Sequence, residues 1–129
     1  MTDGAWETPF GDLEIHTPLA EKISTRYPFE IETATHFNPD NTIELQLPFL
    51  KYFFGDAKIV PMGVPPVSES LEIGIEAAEF CRDLGLSAKV IGSTDLTHYG
   101  YNYGFTPQGV GKKPWSLAVR STSLRAARI

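Results

Sequence analysis

Ala57-Lys58-Ile59-Val60-Pro61-Met62-Gly63-Val64 and Val90-Ile91-Gly92-Ser93-Thr94, with a helix-forming run from about Glu69 to Leu84 between them, decide the fold. The two outer pieces are rich in β-branched residues and bounded by Gly and Pro, as strands are. Glu69 and Glu72 sit in the first turn of the central run, where the helix dipole favours acids. Ser68 or Ser70 is its expected cap. Leu71, Ile75, Ala78 and Cys81 or Arg82 mark one face, and Gly85 stands at the C′ position. Strand, helix and strand in that order make a βαβ unit with parallel strands and a right-handed crossover. The expected class is therefore α/β, with a mostly parallel sheet flanked by helices.

Upstream, Asp3-Gly4 and Phe10-Gly11-Asp12 are turn sequences around short alternating pieces, which predicts a hairpin with Trp6 as a core anchor. Thr17 and Pro18 open a short helix that Pro28 ends. Phe29–Ala34 alternates and reads as a strand near a sheet edge. Asn41 and Glu44 have capping-box spacing at the head of an apolar helix running to Phe54, placed deep in the domain. Pro48 should kink that helix or split it.

Downstream, Val90-Ile91 leads straight into Ser93-Thr94-Asp95-Leu96-Thr97-His98-Tyr99-Gly100. Polar chemistry just past the carboxyl end of a strand is where open α/β sheets hold ligands. An imidazole titrates near neutral pH, which suits His98 to general acid/base work. Asp95, three residues earlier, could orient it. A hydrogen-bonded structural histidine is the competing reading, and the hydroxyls of Ser93, Thr94 and Thr97 serve either a site or the backbone of a turn. Glu44 is either a cap or a pocket carboxylate. His16 and His36 have no partner at metal-ligand spacing, and no His, Cys or carboxylate set has the pattern of a zinc or iron motif.

The chain has 129 residues and a net charge of −5, which points to one domain with no basic face for nucleic acid. The single cysteine, Cys81, excludes an internal disulfide and reads as a buried structural thiol. No apolar run approaches the roughly 20 residues that span a bilayer. The expectation is a cytoplasmic protein without a membrane segment. Residues 112–129 form a separate basic tail: Lys112, Lys113, Arg120, Arg125 and Arg128 supply five of the eleven basic residues. A frayed end is expected there, and an anionic partner is the alternative.

Four stretches carry a resemblance to a known family. They are Gly4-Ala5-Trp6-Glu7-Thr8-Pro9-Phe10-Gly11-Asp12-Leu13, Asp40-Asn41-Thr42-Ile43-Glu44-Leu45-Gln46-Leu47-Pro48-Phe49-Leu50, Ala57-Lys58-Ile59-Val60-Pro61 and Ser93 to Gly100. In this order and spacing they resemble the Memo family, also called AmmeMemoRadiSam system protein B, over roughly residues 3–111. The resemblance implies a three-layer fold like that of class III extradiol ring-cleaving dioxygenases, here incomplete, and a non-haem metal-dependent oxidoreductase. His98 then matches the pocket acid/base and Asp95 its acidic neighbour. Glu44, Tyr99 and Tyr101 would line the substrate site.

The family's usual histidine is replaced by Asn41. Its metal-bearing His-Ala-Gly-Tyr, Pro-Ser-His and Cys-Gly segments do not occur in this sequence, so iron or copper is expected only in longer members. The resemblance thus reads residues 1–111 as an internal or truncated Memo-like domain. The alternative function is a binding module for a peptide, such as a phosphotyrosine peptide, or a small ligand, working with a radical SAM or other protein partner. Unpaired sheet edges would call for cover by another chain, a second copy included.

Overall fold

The computed structural model describes residues 1–107, 109 and 110; the basic tail lies outside them. Contacts divide the chain into two units, residues 1–92 and residues from 93 onward.

The first unit starts with the expected hairpin. β1 (Ala5–Trp6) pairs antiparallel with β2 (Leu13–Glu14), with Ala5 opposite Glu14 and Trp6 opposite Leu13. Gly4 and Gly11 take φ of +89° and +103°, which the turns require and which few other residues adopt. Thr8 ties the turn together. Its hydroxyl donates to the Gly11 carbonyl at 2.6 Å and accepts from the Phe10 N–H at 3.2 Å.

Directly after β2, Ile15 pairs with Ile59 as a parallel bridge. The His16 N–H donates to the Ile59 carbonyl and the Ile59 N–H to the Glu14 carbonyl, both at 2.9 Å. Lys58 reinforces the pairing with an ion pair to Glu14 at 2.7 Å, which holds the Glu14 carboxyl below its usual range. Helix α1 (Thr17–Arg26) follows at once. His16, not Thr17, is its cap: Nδ1 accepts from the Leu19 N–H at 3.2 Å. α1 turns Leu19, Ala20 and Ile23 inward, and these join Leu13, Ile15 and Leu47 as the buried apolar core.

α2 (Asn41–Glu44) and α3 (Leu47–Phe53) are the two halves into which Pro48 splits the expected helix. Asp40 caps α2, accepting from the Thr42 N–H at 2.7 Å, so Asn41 is inside the helix rather than at its cap. Expected burial fails here. Only Leu47 of α3 is buried, whereas Phe49, Tyr52 and Phe53 are exposed. Their rings find each other instead, Phe10–Tyr52 at 5.2 Å and Tyr52–Phe53 at 4.9 Å.

α4 (Ser70–Asp83) has the expected extent, and Gly85 ends it with φ +66°. Ser70 does not cap it, because its hydroxyl donates to the Pro65 carbonyl at 2.6 Å. α4 packs on α1 through a polar edge. Lys22 meets Asp83 at 3.3 Å and lies over the Phe80 ring at 4.6 Å. Arg26 grips Glu76 with two bonds, at 2.9 and 3.1 Å. The Arg26 guanidinium holds the Glu76 carboxyl below its usual range. Burial pushes the neighbouring Tyr27 phenol up, and Glu76 adds to the rise, although the Tyr27 hydroxyl is buried outside hydrogen-bonding geometry. The predicted apolar face of α4 is left open, with Leu71 and Ile75 exposed.

The architecture is thus mixed α/β, but the sheet departs from the expected parallel one. Among the described residues it is the two-stranded hairpin plus the single parallel bridge at Ile59. Phe29–Ala34 forms no strand, and only Thr33 and His36 bridge there. Val90 and Ile91 lie in an irregular stretch, with Val90 97% exposed. β-branched residues favour strands by packing on a pleated surface, and no described strand offers them one. The βαβ unit therefore has its helix and a fragment of its first strand.

Leu13 is fully buried, so Leu13→Ala should destabilise the fold by about 2–5 kcal/mol. Phe53→Ala should stay within about 0.5 kcal/mol, with urea unfolding as the measurement. Glu76 supplies a pH dependence. Its folded value lies below its unfolded one, so its stabilisation is present above the ordinary carboxylate range. It is lost as pH falls through that range toward the lowered folded value. Glu76→Gln should flatten the acid side of a stability–pH curve and change the alkaline side only where the Tyr27 phenol, which Glu76 helps to raise, titrates.

Candidate functional site

The irregular segment after Ile91 brings together two of the expected site residues. His98 Nε2 lies 2.8 Å from Asp95 Oδ2. The i,i+3 spacing lets one short irregular segment carry both groups, and the Thr94 hydroxyl donates to the Asp95 carbonyl at 3.2 Å within it. Both side chains reach solvent, with exposures of 49% for His98 and 74% for Asp95.

Gly100 then redirects the chain with φ +143° and ψ +168°, a conformation nearly confined to glycine. Gly100 and Phe105 exchange both backbone bonds, at 2.9 Å and 3.3 Å, closing a loop around the 3-10 turn Tyr101–Tyr103. Gly104, with φ +62°, completes the return. Inside this loop the Tyr103 ring stands 4.8 Å from the His98 ring at an angle of 43°. Tyr103 was not among the residues expected at the site. The spacing Gly100-x-x-x-Gly104 after His98 is the sequence feature that could have found it.

Tyr99 donates its hydroxyl to the Gly109 carbonyl at 2.6 Å and sets its ring edge-on to Phe105 at 5.9 Å. Tyr101 is 86% exposed. Glu44 is exposed on α2 of the first unit, with Asp40 in the capping role, so its carboxylate has no hydrogen-bond partner among the described residues.

A cavity of about 420 Å³ lies in the first unit, among Trp6, Ile23, Glu30, Ile43 and Met62. No imidazole or thiol lines it, and its titratable side chains are the carboxylates of Glu30, Glu32 and Asp40. Among the described residues no three His, Cys, Asp or Glu side chains converge to hold a metal ion. Asp95 and His98 bond to each other instead of facing a common point. No described helix is long and apolar enough to cross a membrane.

With Asp95 ionised, the 2.8 Å contact is a hydrogen bond from Nε2–H, which leaves Nδ1 as the basic nitrogen. Asp95→Asn should weaken that preference. At a pH where the imidazole is neutral, the His98 ¹⁵N shifts should move toward those of an unpartnered imidazole. Unchanged shifts would show that Asp95 does not set the tautomer.

Comparison with known proteins bears on these residues. A family model described as Memo-like protein matches residues 1–124. The chain is 40% identical over 101 residues to a MEMO1 family protein of Pyrobaculum aerophilum, covering 77% of this chain and 36% of that protein. It is 35% identical over 102 residues to a MEMO1 family protein of Methanopyrus kandleri, with 77% and 36% covered. A MEMO1 family protein of Pyrococcus furiosus is 35% identical over 111 residues, with 81% and 38% covered. The match thus spans 36% to 38% of the length of these relatives. No solved structure matches the chain.

Proposed function

This chain belongs to the Memo-like protein family, and on that premise we propose that His98 is the proton carrier of a metal-dependent oxidoreductase related to the extradiol ring-cleaving dioxygenases. The observation that supports this reading is the 2.8 Å bond between Asp95 and His98. A carboxylate on one imidazole nitrogen fixes ring and tautomer, and stabilises the imidazolium that forms when the other nitrogen takes a proton. Nδ1 of His98 would accept a proton from a substrate hydroxyl and return it to the product. Asp95 stays ionised throughout and orients. Tyr101 is offered as a substrate contact.

The described side chains do not by themselves fit a metal, so no step here is routed through one. On the same reading, the mixed α/β elements are part of a three-layer, dioxygenase-like fold with a mostly parallel sheet. Iron or copper would belong to the longer proteins of the family.

A second reading rests on exposure. The Asp95 side chain is 74% and Tyr101 86% exposed, which suits a surface that binds a peptide or small ligand with a protein partner. The two readings separate in one experiment on a full-length relative. Replacing the histidine that matches His98 by alanine should lower substrate-dependent oxygen consumption by about 10²–10⁴-fold at unchanged metal content. Consumption that does not change removes the proton-carrier role and leaves the binding reading.

A further inference from the structure

We propose that Tyr103 is the positioning residue of His98: its ring lies against the imidazole and keeps it in the rotamer bonded to Asp95. This rests on the reading of His98 as a proton carrier only for its consequence in turnover. The placement itself is a matter of geometry.

The His98 side chain is about half exposed, and its bond to Asp95 is a contact between two solvated groups three residues apart. Such a pair alone holds an imidazole weakly, because water competes for both partners and the side chains keep their rotamer freedom. A second contact from a different direction is needed to select one rotamer. Tyr103 supplies it, with ring centroids 4.8 Å apart and a tilt of 43°, inside the range where aromatic pairs attract.

The ring is itself held. A Cβ built on Gly100 would lie 3.8 Å from Tyr103 Cδ2, so the ring passes close over the Gly100 backbone. The Gly100–Phe105 clasp and the Tyr103 N–H bond to the Gly100 carbonyl, at 3.1 Å, fix the turn that carries it. The Phe105 end of the clasp is anchored in turn by the Tyr99 ring. Imidazole, phenol and clasp are therefore one connected unit built from residues 95–105. Only the Asp95 end of it is visible in the Asp-x-x-His spacing.

The test reads the His98 tautomer by ¹⁵N shifts in the 129-residue chain, at a pH where the imidazole is neutral. Tyr103→Leu keeps an apolar side chain in the loop and removes the aromatic face. It should lower the Nε2–H fraction toward that of Asp95→Asn, while Tyr103→Phe should retain the parent fraction. A residue that merely fills the loop would not move the tautomer. An unchanged fraction in Tyr103→Leu, with the parent's circular dichroism retained, overturns the assignment. If that variant loses the parent's dichroism, Gly100→Ala decides on the same readout, because it strains the clasp and leaves Tyr103 in the chain. A lowered fraction supports the role and an unchanged one overturns it. Failure of the proton-carrier reading looks different: the tautomer would still depend on Tyr103, while loss of the histidine left oxygen consumption intact.

Discussion

The junction between β2 and α1 holds the first unit together. Within four residues, Leu13 and Ile15 bury their side chains, Glu14 and His16 bond the backbone of Ile59, and His16 caps the helix that follows. One short segment thus belongs to the hairpin, the parallel bridge and the helix start at the same time. α1 begins without an intervening loop, so its buried residues Leu19, Ala20 and Ile23 follow Leu13 and Ile15 within a few positions. The parallel approach of residue 59 depends on the same extended backbone, since His16 must offer its N–H sideways while its ring turns back to Leu19. The α1–α4 contact depends on it less directly, through the direction in which α1 leaves the junction.

How much of this could be read from sequence follows from which cues are local. The hairpin was legible because its turns demand glycine at Gly4 and Gly11 and its strands alternate. The split at Pro48 and the stop at Gly85 were legible for the same kind of reason, a backbone conformation that few residues accept. The caps were not. His16 and Thr17 can both accept a bond from an N–H, as can Asp40 and Asn41. The choice between neighbours is made by backbone angles that pairing with Ile59, or the loop before residue 40, imposes. Burial was misread at α3 and α4. An amphipathic face announces that something should cover it but not what does, and the described residues leave Phe49, Phe53, Leu71 and Ile75 uncovered.

The Asp95–His98 pair was legible because three residues is the separation at which one turn presents two side chains together. Tyr103 was missed because its arrival at the imidazole depends on a reversal at Gly100, for which the Gly100–Gly104 pair is the one sequence cue. Glu44 illustrates the opposite case. Its place in the chain suggested either a cap or a pocket, and with Asp40 in the capping role its carboxylate is left in solvent.

The irregular stretch before the site has a consequence of its own. Residues 88–91 donate no backbone hydrogen bond among the described residues, whereas α1 and α4 on the earlier side of the chain are hydrogen-bonded helices. Amide protons in this stretch therefore trade with solvent deuterium at rates close to those of an open peptide, while the helices on the same chain are shielded. The segment leading into Asp95 and His98 is thus one that opens without breaking a ladder. Whatever docks there meets a main chain whose donors and acceptors are already available, with no ladder to break first.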